Sequence, residues 1–223
     1  MSFYDELLKA TEAERKALMQ LPLITQGGAG KISLRTYVAF LTQAYHHVKH
    51  TIPLLMACGG RLPEKYEWLR VAIGEYIEEE MGHQEWVLND IAACGFDKEA
   101  VRLSKPGVAP SMQTELMVAY AYDMVYRVDP LGFFGMVLVL EGTSIAVATE
   151  AAKHLSQNLN LGPDCFSYLT SHGALDVGHT EFYAELMNKV TDPQDQQQLI
   201  HTAKVFYKLY GDIFREVEAR TMH

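Results

Sequence analysis

Carboxylates and imidazoles recur in this chain at spacings that place them on common helix faces. His172-Gly-Ala-Leu-Asp176-Val-Gly-His179 steps i, i+4, i+7, which on an α-helix is a single stripe. Such a stripe can ligate a cation or form a solvated polar face. Gly173 and Gly178 weaken a helix by about 1 kcal/mol each relative to alanine, which argues for a close backbone approach over a merely wet face. Glu80-Met-Gly-His83 has the Glu-x-x-His spacing by which carboxylate-rich bundles bring two ligands to one metal. Its neighbours Glu75, Glu78, Glu79 and Glu85 also allow an acidic surface face. Glu141 is different: it is the one carboxylate in the apolar or small-residue run Phe133–Ala148. A lone buried charge there costs several kcal/mol, so the group must be protonated, paired or bound to a cation. Arg127 and Lys153 lie far along the same segment, so a cation shared with the other two stripes is the economical account.

Glu80, His83, Glu141, His172, Asp176 and His179 together offer three carboxylates and three imidazoles, a sensible set for two metal ions. A mixed N/O set without thiolate suits iron or manganese, whereas structural zinc usually recruits cysteine. With two ferrous ions bound, the residual charge is near +1, which welcomes an anionic substrate group.

The elements that must position these groups read as helices throughout. Amphipathic spacing predicts helices over 3–20, 33–58, 64–93, 112–127, 130–157, 164–189 and 193–220. Pro53 should kink the second, and Gly59-Gly60 and Gly95 should end the second and third. Asp129-Pro130 and Asp192-Pro193 are N-cap signals with proline at the first helical position. Gly27-Gly28-Ala29-Gly30-Lys31 resembles a phosphate-binding loop but fails it, because Thr25 stands where glycine is needed and Ile32 where serine or threonine is needed. A turn before the N-cap Ser33 is the better reading. With no alternating strand pattern, the expected fold is all-α: one domain spanning 1–223, a bundle of seven or eight helices.

The composition limits the function. The chain has 223 residues, 48% of them hydrophobic and 21% charged, enough for a large core. Its net charge of −9 repels phosphate backbones and anionic lipid, which argues against nucleic-acid and membrane partners. Three cysteines, an odd number without paired spacing, point to a reducing compartment. The start of the chain lacks the pattern of a signal peptide, and no uninterrupted apolar run approaches the ~18 residues of a membrane span. A cytoplasmic protein is expected.

Glu80-x-x-His83, Leu140-Glu141-Gly142-Thr143-Ser144 and His172-x3-Asp176-x2-His179 resemble, in order and approximate separation, the motifs of the haem-oxygenase-like diiron oxidases. The resemblance covers essentially the whole chain. It implies a haem-oxygenase-like bundle whose six positions bind two irons per chain, activation of O₂, oxidation of a small or medium organic acid, and a homodimer. Many members place the histidine seven residues after the glutamate, where this chain has Val87. The shorter spacing is similar to that of the alkene-forming fatty-acid decarboxylases, which favours a fatty-acid-like substrate. Tyr45, His46, Phe134, Val137, Leu138, Ile145, Tyr168 and Leu175 are the candidate pocket residues, with ordinary core packing as the alternative for most. Competing readings on the same fold are a metal-free thiaminase-like hydrolase, a haem-binding protein and a non-catalytic metal-binding helical protein. The first needs a cysteine nucleophile with a base, and none is recognisable; the second needs a proximal histidine, and the first helix has none.

Overall fold

Helix caps and breakers set the element boundaries. The computed structural model describes the backbone of residues 1–222, and their side chains except those of 172–179. Among the described residues there are twelve α-helices and no strand: α1 Phe3–Ala10, α2 Glu12–Met19, α3 Pro22–Gly28, α4 Leu34–Val48, α5 Thr51–Arg61, α6 Glu67–Glu80, α7 His83–Ala93, α8 Lys98–Arg102, α9 Met112–Asp123, α10 Phe133–Leu159, α11 Ser167–Asn188 and α12 Pro193–Thr221. The all-α bundle is as expected, with more helices because three long predicted helices are divided. The first breaks at Thr11, whose hydroxyl donates back to the carbonyl of Leu7 at 2.8 Å. The second breaks at Lys49–His50, because Pro53 has no N–H for an i−4 bond and its ring crowds the carbonyl of residue 49. α5 then runs past Gly59-Gly60 and stops at Leu62, which Pro63 holds extended. The third breaks at Met81–Gly82. α3, within the stretch read as helix end and loop, is an addition.

The cap signals hold. Asp129 Oδ1 accepts from Leu131 N and Asp192 Oδ1 from Gln194 N, both at 2.9 Å, and Ser33 Oγ accepts from Thr36 N at 3.1 Å. Val125 and Tyr126, in the π-helical turn that follows α9, offer their carbonyls to Arg61 at 2.7 and 2.8 Å.

α10 is the central helix. It packs on α11, α12 and α3, while α4 packs on α7, α9 and α12. By length and composition α10 could cross a membrane, yet 56% of its most apolar window is buried within the bundle. Its approach to α12 is unusually close: a Cβ at Gly135 would sit 2.6 Å from Thr202 Oγ1 and 2.7 Å from Ala203 N. α11 is tied to α7 by Asp90, a fully buried carboxylate that accepts from Ser167 N at 3.0 Å, Tyr168 N at 2.9 Å and the Ser167 hydroxyl. Thus α7, α10 and α11, which carry the sequence-predicted ligands apart from Glu80, are locked to one another.

Candidate functional site

Glu80 is the last residue of α6 and His83 the first of α7. Between them Met81 is extended and Gly82 has φ +96°, a conformation that side chains other than glycine rarely adopt. The pair therefore spans a helix break, where its spacing had predicted one continuous face. The turn still brings the two together: Nδ1 of His83 lies 2.8 Å from Oε2 of Glu80. His83 is 1% exposed and Glu80 12%, and the Trp86 ring stacks on His83 at 4.1 Å. A buried imidazole held between a carboxylate and an aromatic ring has a fixed orientation, the condition a ligand histidine needs.

Glu141 reaches the same space from α10. An open cavity is lined by Glu80, Glu141, His47, Tyr76, Ser144, Tyr168 and Tyr210, with apolar walls that include Leu55, Phe133, Met136 and Leu140. Two carboxylates from separate helices thus line one mostly apolar pocket. Their charge is felt by the phenols around them. Tyr76 is raised above the ordinary tyrosine range by burial, then by Glu141, Tyr183, Glu79 and Glu80. Tyr183 is raised by burial and then by Glu141. Both remain neutral phenols at physiological pH. On its other side Glu141 lines a smaller outer pocket with Tyr4, Arg15, Leu138 and Tyr207.

A second space lies beside the first, sharing Ser144, Tyr168 and Tyr210 as walls. Its lining is drawn from α3, α4, α10, α11 and α12, and among the described residues it contains no charged side chain. Two of its hydroxyls are engaged elsewhere: Tyr37 donates to the carbonyl of Cys165 at 2.8 Å and Thr143 to that of Val139 at 2.6 Å. The described lining is thus mostly apolar.

Of the six sequence-predicted ligands, Glu80 and Glu141 line one cavity, and His83 contacts Glu80. His172, Asp176 and His179 lie outside the described residues, as does Leu175. Among the described residues no group of three or more His, Cys, Asp or Glu side chains is gathered closely enough to hold a metal ion. The donor chemistry nonetheless fits iron: carboxylate oxygens and an imidazole face or adjoin the cavity, and no thiol does. Cys58, Cys94 and Cys165 are free and buried elsewhere, and burial pushes the thiols of Cys58 and Cys94 up to about 12.

The candidate pocket residues divide. Val137 and Tyr168 line the carboxylate cavity. His46 instead turns away, with Nε2 2.8 Å from the carbonyl of Val108; its neighbour His47 lines the cavity and meets the Tyr210 ring edge-on at 5.8 Å. Tyr45 faces Lys49 and the charges of Arg102 and Glu85. Phe134 is buried against Tyr183, whose hydroxyl donates to its carbonyl at 2.7 Å, and Phe133 takes the place beside the cavity. Leu138 faces the outer pocket, and half-buried Ile145 lines neither large space. Sequence reasoning missed His47, Tyr76 and Tyr210. A signal for His47 existed: Tyr37, Phe40, Ala44 and His47 step i, i+3, i+7, i+10, which puts His47 rather than His46 on one face with Tyr37 and Phe40.

The architecture is that of the haem-oxygenase-like fold. A domain of unknown function with this fold from Shewanella denitrificans OS217 superposes with a TM-score of 0.83 at 25% identity, covering 99% of this chain and 93% of the other. A TenA homologue from Pseudomonas syringae pv. tomato superposes equally well at 12% identity, covering 97% and 93%. Haem oxygenase-1 from Synechocystis sp. PCC 6803, solved in complex with haem, gives a TM-score of 0.75 at 11% identity over 99% and 94%. Within that fold, the sequence pattern of one family, described as iron-containing redox enzyme, matches residues 38–211, and the chain belongs to this family. Comparison with curated proteins returns no match.

Proposed function

We propose that this protein is a cytoplasmic non-haem diiron oxidase that uses O₂ to oxidise an organic acid, with a fatty-acid-like substrate favoured. The observation that carries this reading is the pair Glu80 and Glu141, brought from two helices to one mostly apolar cavity. Two carboxylates brought to such a space are oxygen donors of the kind that iron takes. Glu80, His83 and Glu141, with His172, Asp176 and His179 from α11, would hold two irons. Iron so held supplies the one-electron chemistry that O₂ requires.

The protein's own groups do the rest. Glu80 orients the His83 imidazole through its 2.8 Å contact. The rings of Tyr76, Tyr168 and Tyr210, with Phe133 and Leu140, reduce access of water to the carboxylates, so that charge interactions inside are strong. The apolar chamber beyond Ser144 gives an aliphatic substrate somewhere to place its tail. The elevated thiols of Cys58 and Cys94 weigh against the cysteine-nucleophile alternative, since the thiolate is the reactive form. Two copies of the chain are proposed to form a homodimer, which light scattering on a sizing column tests.

The test is an anaerobic ferrous titration followed by an O₂ pulse. About two irons per chain and iron-dependent O₂ consumption are expected. Glu141→Ala should lose at least one iron and the O₂ consumption while keeping the wild-type far-UV circular dichroism. No iron bound by the wild type, or a variant that consumes O₂ at the wild-type rate, overturns the assignment.

A further inference from the structure

We infer that the cleft between the end of α4 and α9 binds a phosphate group, as inorganic phosphate or a small phosphate monoester, with Lys49 and His50 as its donors and His46 as a positioning residue for Lys49. His46, Lys49 and His50 step i, i+3, i+4, a single helix face, and line the cleft together with Pro110, Thr114 and Glu115. The site is separate from the carboxylate cavity, which α4 lines with His47, so it goes beyond the function proposed above and does not depend on its metals. His46 is 1% exposed, and its bonds fix its tautomer. Nε2 lies 2.8 Å from the carbonyl of Val108, which can only accept, so Nε2 carries the proton and Nδ1 of the neutral ring is an acceptor. Nζ of Lys49 lies 3.4 Å from that Nδ1 and 5.3 Å from the centre of the Tyr45 ring. The ammonium is thus held by neutral partners. Burial alone lowers the pKa of Lys49, with no carboxylate to raise it.

His50 supplies the second donor in either protonation state. Its Nδ1 lies 3.0 Å from the hydroxyl of Tyr122, and a phenol can donate to the neutral ring or accept from the imidazolium. The ring therefore gains a proton without losing that bond, and Nε2 remains a donor throughout. Before an anion arrives, burial and then the Lys49 charge lower the pKa of His50. The cleft thus holds one fixed positive charge beside a group that an incoming dianion would charge. Phosphate suits it, because Lys49 acts as a point charge with N–H groups to spare and a phosphate ester carries close to two negative charges at neutral pH. Glu115, the one acidic side chain in the described lining, is exposed, where solvent and salt weaken its repulsion. The net charge of −9 acts against long polyanions but little on a single phosphate, which feels mainly the charges within about 10 Å.

The experiment follows the His50 ring by NMR in the full chain without metal, titrated with sodium phosphate, with glycerol 3-phosphate, or with sodium chloride at matched ionic strength. Phosphate should bind saturably and raise the pKa of His50 by about one unit, because a nearby negative charge favours the imidazolium; chloride should not. A larger rise with glycerol 3-phosphate assigns the site to an ester, and an equal or smaller one to inorganic phosphate. Lys49→Gln should weaken phosphate by about ten-fold or more, as loss of a hydrogen bond from a charged group does. It should also raise the phosphate-free pKa of His50, since the Lys49 charge that lowers it is gone. Lys49→Arg should keep most of the affinity. His46→Phe releases the ammonium and should weaken phosphate by roughly two- to ten-fold, while moving the phosphate-free pKa of His50 the same way, which a merely structural role would not do. A His50 pKa that moves no more with either phosphate than with chloride overturns the site, and so does a Lys49→Gln protein that binds phosphate as tightly as wild type. If His46→Phe binds like wild type, the positioning role falls.

Discussion

Removing the Asp90 carboxylate should unseat the start of α11, and with it a wall of both cavities. Asp90 is fully buried and accepts three hydrogen bonds, two of them from the backbone amides of Ser167 and Tyr168. Those amides belong to the first turn of α11, where no carbonyl within the helix can accept from them. Asp90→Ala deletes three bonds to a charged acceptor and leaves two amides and a hydroxyl in a buried site. At about 1–3 kcal/mol for each buried group left unsatisfied, partly relieved by water entering the gap, the expected loss is about 3–5 kcal/mol. For a chain of this length that corresponds to a fall of roughly 6–20 °C in melting temperature. Urea unfolding followed by circular dichroism measures it. A loss below about 1 kcal/mol would mean that the amides are satisfied without Asp90, refuting the reasoning. Asp90→Asn, which keeps an acceptor oxygen, should lose less. Burial is the main cause that raises the folded-state pKa of Asp90 above its ordinary value of 3.8, its hydrogen bonds lowering it only in part. Between those two pKa values the folded state holds the proton more tightly, so stability relative to Asp90→Asn should fall as pH rises through that window and be level on either side. A difference that rises with pH there would contradict the sign.

Two further perturbations test the packing. Gly135→Ala puts a methyl against Thr202 Oγ1 and the backbone of Ala203 and should cost about 1–3 kcal/mol or more by forcing α10 from α12; a neutral melt would show that the helices can separate freely. Arg102 makes a two-pronged contact to Glu85 at 2.6 and 2.8 Å on side chains that are 34% and 43% exposed. Arg102→Ala should therefore cost at most about 1 kcal/mol, shrinking in high salt, and a larger salt-independent loss would point to packing by the arginine stem.

The helical class, the caps and the candidate acids were legible in the sequence because each is a local property. Asp129-Pro130 and Asp192-Pro193 announce helix starts through hydrogen bonds that reach only two residues ahead. Glu141 was conspicuous because a carboxylate in an apolar run is costly wherever that run packs. The breaks were harder to read. A 3.6-residue pattern can run through positions 64–93 without betraying the turn at Met81–Gly82, since glycine is tolerated in a helix and the choice between helical and left-handed φ is made by what packs on either side. Once the helix breaks there, its second half is rephased, and the Glu80–His83 contact rests on a turn rather than on helix spacing.

The side chains that surround the acids depend on helix rotation. One step along a helix turns a side chain by about 100°, so His47 lines the carboxylate cavity while His46 bonds Val108, and Phe133 lines it while Phe134 supports Tyr183. Sequence by itself therefore determined which residue types were present to bind a cation and that helices would carry them. Tertiary structure decided that Glu80 and Glu141 share one cavity, that Ser144, Tyr168 and Tyr210 stand as walls between it and a mostly apolar space, and that Asp90 holds α11 against α7. Those relations join residues tens of positions apart, and they arise only when burial of whole helix faces fixes how each helix is turned against its neighbours.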